Sequence, residues 1–219
     1  MADSFGLKIT NDSGVVSMDS EFARLCVFHS GRYSGSANAV TITFQTVVPS
    51  QEPPLIFLRP DNNGAFVQSG CIINGVAGAW TGVTITGTTT IGSIFVAAFV
   101  AKPVSSYGMR LWDANGKHVF DSGTPAAIFT RALQNWTYTH TDTSAQGIAT
   151  NWYSAPLNYS LGDYLMINNG RMWMMAAGNT ARTTGLRFDF AAGLLRFSVT
   201  AAQNPLYFSL PAIFGKVLA

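Results

Sequence analysis

Tyr107-Gly108-Met109-Arg110-Leu111-Trp112-Asp113-Ala114-Asn115-Gly116-Lys117-His118-Val119-Phe120-Asp121-Ser122 decides the reading of this chain, because an earlier stretch repeats it. That stretch is Phe5-Gly6-Leu7-Lys8-Ile9-Thr10-Asn11-Asp12-Ser13-Gly14-Val15-Val16-Ser17-Met18-Asp19-Ser20. One constant offset carries Phe5 to Tyr107 and Ser20 to Ser122 without a gap. The matches in kind are Phe/Tyr, Leu/Met, Lys/Arg, Ile/Leu, Asn/Asp, Ser/Asn and Met/Phe. The pairs Gly6/Gly108, Gly14/Gly116, Asp19/Asp121 and Ser20/Ser122 match identically. Agreement over such a length points to an internal repeat.

Each copy reads as a β-hairpin. Leu7 and Ile9 alternate with polar neighbours, the period of a half-buried strand. Asn11-Asp12-Ser13-Gly14 and Asp113-Ala114-Asn115-Gly116 are turns. Glycine in last place suits a loop that closes in the left-handed region, where a side chain clashes. Asn11 and Asp113 suit capping of the turn through their side chains. Asp19 and Asp121 admit a role as ligands or acid/base groups. Each is followed by serine at a strand end, however, and capping of free backbone N–H groups is the stronger reading.

Beyond the hairpins the repeat weakens but keeps its order. Asn62-Asn63-Gly64 follows Leu55-Ile56-Phe57-Leu58, and Asn168-Asn169-Gly170 follows Tyr164-Leu165-Met166-Ile167. The alternating run Gly82 to Thr86 is matched with Gly185 to Asp189. Each half ends in an apolar strand with a late lysine, Lys102 or Lys216. A short Pro/Ser linker, Lys102-Pro103-Val104-Ser105-Ser106, divides the halves. The expected architecture is all-β, with two tandem, internally duplicated, β-sandwich-like domains over residues 1–103 and 104–219. Val40 to Phe44 and Leu195 to Val199 alternate as strands do. Turn residues recur at a spacing typical of sandwiches and barrels. The best helix candidate is Pro125 to Leu133, and Glu21 to Val27 is similarly ambiguous.

Composition narrows the function. The charged fraction is 11% and the net charge +2, with 13 Lys+Arg scattered singly. Nucleic-acid binding needs clustered cations, so no nucleic-acid partner is expected. A surface so poor in charge tends to self-associate, which implies cover by partner chains. Ile91 to Val104 is too short for a membrane span and reads as a buried strand. Met1 to Leu7 lacks the pattern of a secretory signal. Cys26 and Cys71 make no disulfide framework, and the reading is two free, buried thiols.

Catalytic chemistry finds no support. His29, His118 and His140 stand far apart, outside any zinc-ligand spacing. His118 falls where the first hairpin has Val16, which favours a structural role. Neither a phosphate loop nor a nucleophile elbow appears. The expectation is a non-enzyme without cofactor or metal. Trp136, Tyr138, Trp152 and Tyr153 lie among Thr, Asn, Asp and His, the mixture that stacks on sugars and bonds their hydroxyls. The competing reading puts one aromatic face in the core. Met172-Trp173-Met174-Met175 reads as a buried strand or an interface patch.

The second hairpin, Tyr107-Gly108 through Asn115-Gly116 to Phe120-Asp121-Ser122, resembles a motif of minor tail and tail-tip proteins of tailed bacteriophages. The first copy resembles it too, with Met18 in place of the usual Phe. The similarity covers the hairpins firmly and the following strands loosely, and it carries no catalytic residues. It implies a structural protein of the virion near the distal tail. The implied partners are other tail proteins and further copies of the chain in a symmetric assembly. Attachment to a host glycan or receptor, and capsid decoration, remain as alternative readings.

Overall fold

The computed structural model describes residues 8–10, 12, 16–19, 23–35, 39–62, 65–68, 70–86, 91–104, 106–158, 160, 162–176 and 180–218. Among them every regular element is a strand, so the chain is all-β. The first half supplies β1 (Lys8–Thr10), β2 (Val16–Asp19), β3 (Cys26–Ser34), β4 (Ala39–Val48) and β5 (Leu55–Pro60). It continues with β6 (Ala65–Gln68), β7 (Gly70–Val76), β8 (Ala79–Thr86) and β9 (Ile91–Ala98). The second half supplies β10 (Arg110–Trp112), β11 (His118–Asp121), β12 (Ala127–Leu133), β13 (Thr137–Thr143) and β14 (Ala149–Pro156). After these come β15 (Tyr164–Met166), β16 (Trp173–Ala176), β17 (Thr180–Asp189), β18 (Leu194–Ala201) and β19 (Ala212–Val217).

A six-stranded sheet in the order β12-β19-β15-β5-β9-β3 forms the middle of the molecule. Its period-2 alternation splits the apolar residues between two faces. Ile56, Leu58, Ile94, Val96, Leu165 and Phe214 point to one side, where they meet Ile42, Phe44, Val83 and Ile85 of the β4-β8-β7 sheet. Leu186, Phe188, Leu195 and Phe197 join the same cluster from the β13-β14-β18-β17-β16 sheet. This layering of sheet on sheet is sandwich-like. Phe57, Phe95, Val27, Ala97 and Ala127 point the other way and form a second, smaller cluster. Phe57 and Phe95 stack there with centroids 4.4 Å apart, and Tyr164 meets Phe95 edge-on. The outer strands of the sheet touch: Cys26 bridges Ala126, Val27 N–H donates to Pro125 O, and Ala127 N–H donates to Leu25 O.

The two halves share this core. β5 of the first pairs with β15 of the second, Leu58 opposite Leu165 and Phe57 opposite Met166. β6 of the first pairs with β17 of the second, Phe66 opposite Phe188. Asn168 adds a side-chain clasp, accepting from Ile56 N–H at 2.7 Å and donating to Pro54 O at 2.9 Å. The linker at Pro103 therefore divides the sequence, while strands from both sides of it are neighbours in one sheet.

The strand order runs in parallel on the two sides of the linker. β3-β9-β5 lies on one side of the middle sheet and β12-β19-β15 on the other. β4-β8-β7 has its counterpart in β14-β18-β17. Gly82 to Thr86 lies in β8, whose place in the second half is taken by β18. The sequence match of that run to Gly185–Asp189, in β17, is corrected accordingly. Pro125–Leu133 is likewise a correction. Its residues from Ala127 form strand β12, paired with β19 from Ala127↔Val217 to Leu133↔Ala212. The ladder to β19 outweighs the helix propensity of alanine and leucine.

At the β17–β18 turn, Asp189 accepts from Ala192 N–H at 3.0 Å and from Arg196 Nε at 2.8 Å. The Ala192 N–H, and then Arg196, hold this carboxyl below the usual carboxylate range. A folded-state pKa lowered in this way stabilises the fold above the ordinary value near 4, and the gain is lost as pH falls through the folded pKa. Thermal unfolding followed across acid pH is expected to show less acid dependence in Asp189→Asn than in the parent chain.

Candidate functional surface

The resemblance rests on the hairpins, and their pairing is the same in both copies. In the first, Lys8 pairs with Asp19, Ile9 with Met18 and Thr10 with Val16, with a bulge between Ile9 and Thr10. In the second, Arg110 pairs with Asp121, Leu111 with Phe120 and Trp112 with His118, with the bulge between Leu111 and Trp112. The offset that aligns the sequences carries each pair, and the bulge, onto its counterpart. Gly6, Asn11 and Gly14 lie outside the described residues, as does the side chain of Asp19.

The second hairpin shows what its polar residues do. Asp113 Oδ1 accepts from Asn115 N–H at 2.9 Å and Lys117 N–H at 2.8 Å, and Gly116 takes φ 74° in the left-handed region. Asp121 is buried. Its Oδ1 accepts from Gly123 N–H at 2.8 Å and its Oδ2 from Arg110 Nε at 2.9 Å. Burial pushes this carboxyl up, but the Gly123 N–H and Arg110 outweigh burial and hold it below the usual range. Ser122 Oγ accepts from Met109 N–H at 3.0 Å. Gly108 has φ 122°, and a Cβ there would run into Ser122 Oγ. Glycine before the strand and Asp-Ser after it are thus one closure. The motif's aromatics divide: Phe120 is buried in the core, whereas Tyr107 is 89% exposed, and Trp112, on the same hairpin, is 53% exposed. His118 is half-buried with its ring 5.5 Å from that of Trp112.

The four aromatic candidates divide. Trp136 packs on the core and donates its indole N–H to Leu210 O at 2.8 Å. Tyr153 is buried against Phe208 and donates its hydroxyl to Pro205 O. These two are structural, because their polar atoms are already used inside the fold. Tyr138 and Trp152 stay at the surface of the β13–β14 pair. Tyr138 pairs with Tyr153, so alternation along β14 puts Tyr138 and Trp152 on opposite faces, and the bulge after Tyr138 sets His140 beside Trp152. On one face Tyr138 shares a 2.7 Å hydroxyl contact with Thr141, which donates to Asn151 Oδ1 at 2.7 Å. On the other, Trp152 donates its indole N–H to Asp142 at 2.8 Å and lies parallel to His140. Every residue of β13 is exposed. Among the described residues, the most exposed aromatics outside those candidates and the hairpin are Tyr207, 91% exposed, and Trp173, 71% exposed. Trp173 stands in the segment read as a buried strand or an interface patch. Tyr207 sits in an irregular loop, where no periodicity marks its direction.

An open cleft of about 680 Å³ lies where β3 meets the loop after the second hairpin, lined by Arg24, His29, Gln45, Lys102, Thr124 and Val217 among others. His29 Nδ1 accepts from Gln45 N–H at 3.1 Å, and burial lowers its pKa, so it stands neutral as an acceptor. Thr124 donates its hydroxyl to Lys102 O. Both cysteines are free thiols. Burial raises the Cys26 pKa and pushes Cys71 up to about 12, which makes both poor nucleophiles near neutral pH. Among the described residues no group of three His, Cys, Asp or Glu side chains is placed to hold a metal ion, and no helix is long and apolar enough to cross a membrane.

No known protein family, curated protein or solved structure matches the chain.

Proposed function

We propose that this chain is a non-enzymatic structural protein of a bacteriophage virion, seated at the distal tail as a tail-tip, baseplate or fibre-associated component. The hairpin motif carries the reading. Its glycine, turn and Asp-Ser residues close the hairpin and its Phe120 anchors it in the core, while Tyr107 and Trp112 of the same hairpin face outward. A motif that fixes a small scaffold and presents two large rings suits a contact between subunits. The low charge of the whole chain supports the same reading, since a charge-poor surface suits cover by neighbours. Its partners would be other tail proteins and further copies of itself. Gold-labelled antibodies against the chain should mark the distal tail of intact particles. Label on the capsid, or none on the particle, rejects the proposal. Copy number separates capsid decoration, which needs hundreds per particle against on the order of three to twelve for a ring.

A second reading, attachment to a host glycan or receptor, is favoured by one observation. Trp152 lies at the surface with its indole N–H bound to Asp142, beside a strand exposed along its length. Tyr138 and Trp152 would carry this contact, since Trp136 and Tyr153 are committed to the core. Purified chain should then block adsorption of particles to host cells, and Trp152→Ala should not. Failure of the parent chain to compete assigns attachment to another protein.

A further inference from the structure

The β4-β8-β7 sheet contains no charged residue, and between Asp61 and Lys102 the sequence has none at all. No strand among the described residues pairs with the outer edge of β7. Natural proteins guard such an edge with lysine, proline or a bulge, because its free N–H and C=O groups template another strand. The run Gly70-Cys71-Ile72-Ile73-Asn74 carries no such guard. Its register with β8 is regular and shifts only between Asn74 and Gly75, near the hairpin turn. Cys71 and Ile73 pack on the core, while Ile72 is 59% exposed. Asn74 donates to Thr84 Oγ1 at 3.1 Å, so the side chain beside Ile72 is already satisfied within the sheet.

The molecule contains its own comparison. β17 holds in the second half the place that β7 holds in the first, and its outer edge is filled along most of its length. β16 pairs with Thr180–Thr183, and β6 pairs with Leu186–Asp189. β6 is a strand of the first half that leaves its own sheet to complete that of the second. The same edge is thus closed on one side by this chain's own strands and, among the described residues, left unpaired on the other.

We propose that β7 pairs antiparallel with β7 of a second copy of this chain, joining two three-stranded sheets into one continuous six-stranded sheet. A second copy is the occupant for two reasons. The equivalent edge accepts an uncharged strand of this same sequence. An uncharged strand also meets itself across a two-fold axis without like charges opposed, whereas it offers nothing to select a charged partner segment. This inference stands on strand pairing and charge and does not depend on the tail-tip reading.

Analytical ultracentrifugation of the full chain tests it. The parent chain is expected to sediment at twice its 23.5 kDa mass. Ile72→Lys, which puts a lysine on each of the two facing strands, is expected to sediment as a monomer with an unchanged far-ultraviolet circular dichroism spectrum. Ile148→Lys, an exposed position in the β13–β14 loop, is expected to leave the dimer intact. In the parent chain, amide exchange in Gly70–Val76 should slow as protein concentration rises, a readout that needs no variant. A monomer at all concentrations, an assembly that does not close at two, a dimer untouched by Ile72→Lys, or concentration-independent exchange in Gly70–Val76 each overturns the proposal.

Discussion

Expressed alone, neither residues 1–103 nor residues 104–219 give a cooperative unfolding transition or a dispersed amide spectrum. This outcome is expected because the cut passes through shared sheets. Without the second half, β5 loses its partner β15 and β6 loses β17. Ile56 N–H and Pro54 O also lose the side chain of Asn168. Without the first half, β15 keeps only β19, and Leu165 and Phe214 lose Ile56, Leu58 and Val96 from their cluster. Each fragment then exposes a long apolar strand edge and part of a core that was continuous. A domain's net stability is only about 5–15 kcal/mol, less than the loss of half a core removes. Mixing the two fragments should restore the transition, because every lost contact lies between them. Circular dichroism melts and heteronuclear NMR on each fragment and on the mixture provide the check. A sharp transition in either isolated half would mean that its strands close a core of their own.

Phe57→Ala is expected to destabilise the intact chain by about 3–5 kcal/mol. Phe57 is fully buried, stacked on Phe95, and lies on β5 opposite Met166 of the other half. Truncation removes the ring from the smaller core cluster and leaves a cavity against Gly215, which has no side chain to fill it. A residue on the strand that joins the halves should lower the midpoint of the whole transition, leaving a single transition and no partly folded plateau. Urea unfolding followed by tryptophan fluorescence separates these cases. All five tryptophans lie outside β5, so the probe reports on the rest of the molecule. A change below about 1 kcal/mol would mean that the site collapses without cost.

Much of the fold's local grammar was legible in the sequence. The Asp113 turn and the glycine at position 116 act through groups a few residues apart, so their chemistry can be read from order alone, whereas the Asp121-Ser122 closure reaches across the hairpin to Arg110 and Met109 and was legible because the whole hairpin repeats. The strands over Val40–Phe44 and Leu195–Val199 were legible for the same reason, since alternation is a local signal. The division of the aromatic candidates was not. Trp136, Tyr138, Trp152 and Tyr153 look alike in sequence. A distant loop at Pro205–Leu210 binds and covers Trp136 and Tyr153, which leaves Tyr138 and Trp152 nearer the surface.

The sequence by itself determined that the chain is all-β, that it opens each half with the same hairpin, and where the turns fall. These follow from backbone preferences and side-chain period, which act within a few residues. Only the tertiary structure decided that β5 lies beside β15, that β6 crosses to β17, and that among the described residues β7 keeps an unpaired edge. Strand pairing between distant segments is chosen by which apolar faces bury one another. Strands of similar alternation satisfy that demand with many partners until the whole core is assembled. Pro125–Leu133 shows the same rule in one segment. Its residues suit a helix in isolation, and β19 beside them makes a strand.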